Sequence, residues 1–204
     1  SCIAGRSLTQ KLYKKLSAAV KIKLAKDVAI FLSEMHSIPL SKLNGMGLAT
    51  KNSLYELTQL KAASKKHLYP FFRTHDRQWV DDFFEYSKGL LAEKCKYTFT
   101  HHDVHFNHIL INEKNRVSGI IDFSDAAIYD PAFDFLFLWG LGEQFVRMVA
   151  KYYQGEKESL IERSKIYACT RPMWHMVKSA KEKKDDYPLW EKQWRRARKL
   201  LQER

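Results

Sequence analysis

Apolar residues recur at helical spacing along most of this chain. In LAKDVAIFLSEMH, positions Leu24, Val28, Phe31, Leu32 and Met35 repeat with a 3.6-residue period, and Pro39 stands just past the end of the helix read over 8–36. Thr9 is placed to cap a shorter helix carrying Leu12, Tyr13 and Leu16. A loop over 40–52 holds two glycines, and Asn52 or Ser53 caps a helix from Leu54 to about Lys65. Pro70 breaks the chain before a helix over about 76–91, on which Val80, Phe83, Phe84, Ser87 and Leu91 share a face and Gly89 weakens the end. Further on, EQFVRMVAKYY reads as a helix stopped by Gly155 at C′. Residues 158–204 read as helical, interrupted at Pro172 and at KEKKDDYP, with Trp190, Trp194, Ala197 and Leu201 on one stripe opposite Arg195 and Arg198.

The pattern changes in one region. Tyr97 and Phe99 alternate into a polar knot, His101-His102-Asp103, followed by Asn107, His108, a short apolar strand over Ile109, Leu110 and Ile111, a turn at 112–115 and a second strand over 117–121 that ends at Asp122. After Asp130-Pro131, AFDFLFLWGL is apolar nearly all round and reads as buried. The expected architecture is α+β, mostly helical, with one small β-hairpin set into the helical body. No internal repeat or low-complexity tract is visible.

That hairpin carries the candidate chemistry. Asp103 and Asp122 lie at its opposite ends, 19 positions apart (122 − 103). Four histidines, His101, His102, His105 and His108, fall within eight residues and raise the question of zinc. Strand, loop and strand scatter such rings, and neither HExxH nor a Cys/His pair is present. The residue types fit phosphoryl transfer to an alcohol better, where one Asp takes or orients the hydroxyl proton and metal ions neutralise the triphosphate. That chemistry is written H-x-D, a metal ligand five positions on, and a second Asp in a D-F-G-like element on the next strand. His101, Asp103 and Asp122 fit, with Asp122-Phe123-Ser124 in place of D-F-G. The fifth position is His108, with Asn107 one place early, so the second ligand is open between them.

Composition narrows the setting. The chain has 204 residues, 45% of them apolar, with five Trp and twelve Phe, enough for a real core. Three distant cysteines, Cys2, Cys95 and Cys169, read as reduced thiols of a cytoplasmic protein. The polar start and the lack of a spanning apolar run give no sign of a signal peptide or membrane segment. A formal charge of +12 favours anionic company such as nucleotide phosphates and disfavours a polycationic acceptor. The basic C-terminal helix (Arg195, Arg196, Arg198, Lys199) is a weaker nucleic-acid candidate, its cations being ordinary for a solvated helix face.

HHDVHFNHILI followed by VSGIIDFSDAAIYDPAFDFLFL resembles the aminoglycoside phosphotransferase family, with its H-G-D…N-I-L and I-D-F-G-D-A…G-D-P-x-x-D-L signatures. The N-H-I-L variant is similar to the branch acting on a 2″ hydroxyl. FLSEMHSIP and the opening IAGRSL also match family segments, so the likeness spans about 3–140. The resemblance implies the C-terminal lobe of a protein-kinase-like fold, residues 1–204, with a core about 1–50 and 95–140 and a helical subdomain about 51–94 and 141–204. It implies Asp103 as catalytic base, His108 and Asp122 as magnesium ligands, His101 and Asp134 bracing the catalytic loop, and Asp125 supporting. It further implies Mg2+ with ATP or GTP as cofactors, and a nucleotide and a small-molecule alcohol as partners. The family's acceptor lies between the catalytic loop and later helices, which nominates Glu143, Asp185, Asp186 and Trp174. Each of these also has an ordinary reading: solvated carboxylates, and a core ring for Trp174. The departures are His102, Ser124 and Tyr129, each where the family has Gly. No G-x-G-x-x-G and no V-A-I-K occurs, so the expectation is a large lobe whose N-terminal β-lobe is absent, supplied by another polypeptide, lost or cut away. The alternative is a catalytically inactive lobe kept as a binding or regulatory module.

Overall fold

A computed structural model describes residues 3–92, 95–157 and 159–201; Cys2 lies outside the described residues. The chain is mostly helical with small sheets, and it divides into two compact units, Ser1–Lys51 with Lys96–Ser164, and Asn52–Cys95 with Lys165–Arg204.

The first unit is built on α2 (Ala18–His36), which Ser17 caps by accepting from the Val20 N–H. The helix read over 8–36 is in fact two. Thr9 caps α1 (Gln10–Lys15), and extended backbone at Leu16 separates it from α2, because Ser17 competes for the helix start there. Leu24, Val28, Leu32 and Met35 are buried on one face, as their period requires, with Phe145, Val146 and Val149 of α5 (Glu143–Tyr152) also in the core.

Two three-stranded sheets complete this unit. In one, β4 (Ile109–Ile111) lies between β1 (Arg6–Ser7) and β5 (Val117–Ile120), antiparallel to both. In the other, β6 (Ala127–Tyr129) lies between β2 (Ala49–Thr50), parallel, and β3 (Thr98–Thr100), antiparallel. The β4–β5 hairpin is pinned to α2 at its turn: the Arg116 guanidinium forks onto the Asp27 carboxylate, with Nε at 2.6 Å, and the Val117 N–H donates to the same group. Pro131–Leu141 coils as tight helical turns, with Phe133, Asp134, Phe135, Leu136 and Leu138 buried. Asp130 starts this segment by accepting from the Ala132 N–H and pairs with Arg163 at 2.9 Å in the interior.

Gly155 does not occupy a left-handed C′ position. The α5 helix ends at Tyr152, and a Cβ on Gly155 would lie 2.1 Å from the Tyr153 hydroxyl. The glycine is there because a phenol crosses it.

The second unit contains α3 (Ser53–His67, capped by Asn52), α4 (Thr74–Ala92), the later part of α6 (Leu160–Glu182) and α7 (Tyr187–Lys199). All five apolar-face positions named on α4 are buried. The α6 helix runs through Pro172 instead of stopping, because Met173, Met176 and Val177 continue its buried face and packing outweighs the lost backbone bond. Trp194 is fully buried, stacked on Phe72 at 5.1 Å with Trp79 edge-on at 5.7 Å. Arg198 is not opposite the apolar stripe. Its guanidinium lies 4.6 Å from the Trp79 ring centroid and bonds Asp76 at 2.7 Å, the long stem reaching back over the rings.

Candidate active site

The hairpin brings the two carboxylate-bearing segments together. Across the first pair of the ladder, Ile109 faces Ile120, and the Ile121 N–H donates to the His108 carbonyl at 3.1 Å. His108 at the start of β4 and Asp122 just past β5 are thereby neighbours. Asp122 takes left-handed backbone, φ 71°, which turns the chain out of the strand. Ser124 then donates to Asp122 Oδ1 at 2.7 Å, and this hydroxyl, together with the Ser124 backbone N–H, holds the carboxyl below the usual carboxylate range. Serine at that position does chemical work that glycine could not.

His108 faces both carboxylates. Its Nδ1 is 3.0 Å from the Asp103 carbonyl oxygen and 3.4 Å from Asp103 Oδ2. A carbonyl only accepts, so Nδ1 carries the proton, and the Nε2 lone pair is left 3.8 Å from Asp122 Oδ2. A carbonyl fixing one ring nitrogen while the other is free to ligate is the usual outer-shell arrangement of a metal-binding histidine. His108 Nε2 and the Asp122 carboxylate are the donors that would hold a divalent ion here, and such an ion would supply charge neutralisation to a phosphate. Among the described residues no group of three or more His, Cys, Asp and Glu converges on a metal position. Asn107, the other candidate, is exposed, and its N–H donates to His105 Nδ1.

The segment 101–103 is held from beneath. Asp134, fully buried, accepts the His101 N–H at 2.9 Å on Oδ2 and the His102 N–H at 2.7 Å on Oδ1. His36 Nε2 donates to the same Oδ2 at 3.0 Å, and the Tyr153 hydroxyl lies 2.8 Å from His36 Nδ1. Burial first, and then the Asp134 charge, push the Tyr153 phenol up, so it donates to Nδ1. The His101 ring spans the loop, donating from Nε2 to the Ile121 carbonyl at 3.0 Å and accepting the Asp103 N–H at Nδ1, with Phe123 packed on it at 4.3 Å. His102, at φ 68°, stacks on Phe133 at 3.9 Å and meets Lys51 Nζ at 2.6 Å. His105 packs on Phe106 and Phe137, and burial lowers its pKa.

Of the sequence candidates, Asp103, His101, His108, Asp122 and Asp134 belong to this one cluster. Asp125 is exposed in the following turn and is not drawn into it. Glu143 pairs with Arg147 on its own helix. Asp186 accepts from Ser179 at 2.5 Å and Trp190 at 3.0 Å, local bonds that lower its pKa, and Asp185 is exposed. Trp174, in the second unit, is 37% exposed and so is not the core ring its sequence context implied: on α6 it falls beside the buried stripe of Met173, Met176 and Val177. Lys51 and Tyr153 escape sequence reasoning, being 51 and 117 positions from their partners with no local signal.

Residues 1–167 match the model of a family described as phosphotransferase enzymes. Among curated proteins, the uncharacterized protein YcbJ of Bacillus subtilis (strain 168) is 36% identical over 78 residues, 38% of this chain and 23% of that protein, so the match spans under a quarter of the relative. Among solved structures, the GDP complex of wild-type aminoglycoside 2'-phosphotransferase-IIIa is similar with a TM-score of 0.90 at 20% identity, over 98% of this chain and 69% of that one. ADP-bound aminoglycoside phosphotransferase APH(2'')-Ib is 26% identical with a TM-score of 0.72, over 97% and 69% of the two chains. Choline kinase LicA from Streptococcus pneumoniae has a TM-score of 0.64 at 15% identity, over 100% and 69%.

Proposed function

Because the chain belongs to the phosphotransferase enzyme family and has the kinase-like fold of its large lobe, we propose that it transfers the γ-phosphoryl group of a nucleoside triphosphate to a hydroxyl of a small molecule. The observation that carries this reading is the position of His108, with Nδ1 on the Asp103 carbonyl and Nε2 turned to Asp122. In the proposed reaction the acceptor oxygen bonds the γ-phosphorus as the bond from that phosphorus to the bridging oxygen breaks. The hydroxyl proton passes to Asp103, and the nucleoside diphosphate leaves. His108 Nε2 and Asp122 would hold magnesium, which supplies charge neutralisation for the triphosphate when bound. The side chains His101 and Asp134 keep the Asp103 backbone in one conformation throughout.

Solved neighbours hold GDP, ADP and, with streptomycin, ATP, and others hold kanamycin or gentamicin. They support a nucleotide site, with ATP and GTP both to be tried, and a hydroxylated acceptor. This chain covers 69% of the first neighbour, and its own sequence has no Gly-rich phosphate loop. In this reading a separate N-terminal lobe polypeptide would cover the nucleotide.

The test has two arms. Calorimetry of the chain with MgATP and MgGTP should give measurable binding that Asp122→Ala removes. With a covering segment supplied, phosphate transfer to kanamycin, gentamicin or choline should fall at least about 100-fold in Asp103→Ala, the scale of losing a general base. Turnover unchanged by that substitution sinks the assignment, and an absence of nucleotide binding at millimolar concentration favours an inactive binding module.

A further inference from the structure

We propose that Lys51 is a positioning residue for this site: its ammonium clamps the His102 imidazole and so holds the left-handed turn that presents Asp103. The inference rests on the reading above for the role of Asp103, but not for the clamp itself.

His102 directly precedes Asp103 and has φ 68°, a left-handed region that few residues with a Cβ adopt. Relaxation of this one residue would re-aim Asp103 relative to His108. Contacts of different kinds oppose that. Asp134 Oδ1 holds the backbone N–H at 2.7 Å. Stacking on Phe133, 3.9 Å between centroids and 7° between planes, with Tyr129 edge-on at 5.2 Å, fixes the plane of the ring. The contact of Lys51 Nζ with Nε2 at 2.6 Å adds a polar restraint at the ring edge farthest from the backbone.

Lys51 is itself held at its other end. It follows β2, and its N–H donates to the Ile128 carbonyl at 3.1 Å, extending the parallel pairing of Ala49 with Ala127 and Thr50 with Ile128. The strand that anchors the Lys51 backbone, β6, also supplies Tyr129 to the His102 ring. The clamp therefore ties the β2–β6–β3 sheet to the residue before Asp103. An ammonium has donors only, so the clamp requires Nε2 to accept and the ring's proton to sit on Nδ1. That tautomer is a signature of the clamp that packing alone does not impose.

The experiment reads the tautomer and the loop together in the full chain. Long-range proton–nitrogen correlation should find His102 protonated on Nδ1, changing to Nε2 in Lys51→Met, with the amide signals of 101–104 displaced. His102→Gly accepts the same backbone turn without a ring, so adding Lys51→Met to it should displace those amides no further. In phosphate transfer from MgATP to kanamycin, with a covering segment supplied, Lys51→Met should lower kcat about tenfold with KM for ATP within about twofold, and Lys51→Arg should recover most of the loss. An Nε2-protonated ring in the unaltered chain, or a Lys51→Met effect equal in the His102→Gly background, overturns the proposal. If Asp103→Asn leaves phosphate transfer unchanged, the base assignment fails while the tautomer still decides the clamp.

Discussion

His36 and His101 share one oxygen: Oδ2 of Asp134 accepts both the His36 imidazole at 3.0 Å and the His101 backbone N–H at 2.9 Å. The end of α2 and the loop bearing Asp103 are thus joined through a single buried carboxylate. Replacing Asp134 with Ala leaves two loop N–H groups and an imidazole donor buried without an acceptor, at a cost of about 3–5 kcal/mol. Tyr153→Phe removes only the outer donor and should cost about 1 kcal/mol. Urea unfolding of the two variants checks the order, and equal losses would show that the carboxylate is not the hub.

Ser124 sets the acidity of Asp122. Its hydroxyl and N–H lower the folded-state pKa, so Asp122 contributes stability above the unfolded carboxylate value of about 3.9, lost as pH falls through the depressed folded value. Ser124→Ala removes the largest cause. The Asp122 carboxyl midpoint, followed by carbon NMR, should move up toward the ordinary range, and the acid loss should begin at higher pH. A midpoint that stays put assigns the depression to something other than this hydroxyl.

Spacing puts His108 at the ligand position and Asn107 one place early, leaving the ligand open between them, and the two are not equivalent in space. With Nδ1 occupied by the Asp103 carbonyl, His108 presents Nε2 toward Asp122, whereas Asn107 is exposed. Manganese binding in the presence of ATP, read by electron paramagnetic resonance, should weaken about tenfold or more in His108→Ala, the lower scale for loss of a ligand's own support. Asn107→Ala should change it less than about twofold, within the range of a surface substitution. A larger effect at Asn107 would reverse the assignment.

Periodicity made the helices legible because one face of each had to be buried: Leu24, Val28, Leu32 and Met35 on α2, or Val80, Phe83 and Phe84 on α4, sit where their spacing put them. It misjudged the interruptions. Leu16 and Ser17 break a run that looks continuous, since a serine able to cap competes with propagation. Pro172 fails to break one, since burial on both sides sustains the helix. The candidate site was readable where it is local, as at Asp103, His108 and Asp122, because short-range hairpin pairing fixes their juxtaposition. Its supports were less so. Tyr153 and Lys51 reach it from distant segments, and no local pattern records which phenol or ammonium will arrive.

Asp76 offers a stability test confined to the second unit. The carboxylate is buried, 1% exposed, and receives Arg198 Nη1 at 2.7 Å and Arg195 Nη2 at 3.4 Å. Burial by itself raises its pKa, but the two guanidinium groups outweigh burial and the net shift is downward. The sign follows: the stabilisation is present above the unfolded carboxylate pKa and is lost as pH falls through the lower folded value. Asp76→Asn keeps the volume and removes the charge. Arg195 is half exposed and rehydrates readily, while Arg198 is mostly enclosed over Trp79. The cost at neutral pH should therefore be about 2 kcal/mol, below that of a fully enclosed broken pair. Trp79 and Trp194 lie beside these groups, so tryptophan fluorescence during urea unfolding reports the change. The difference between the variant and the unaltered chain should shrink as pH is lowered through the acid range. A difference that is constant with pH would mean that the asparagine acts through packing and that the ion pairs contribute nothing net.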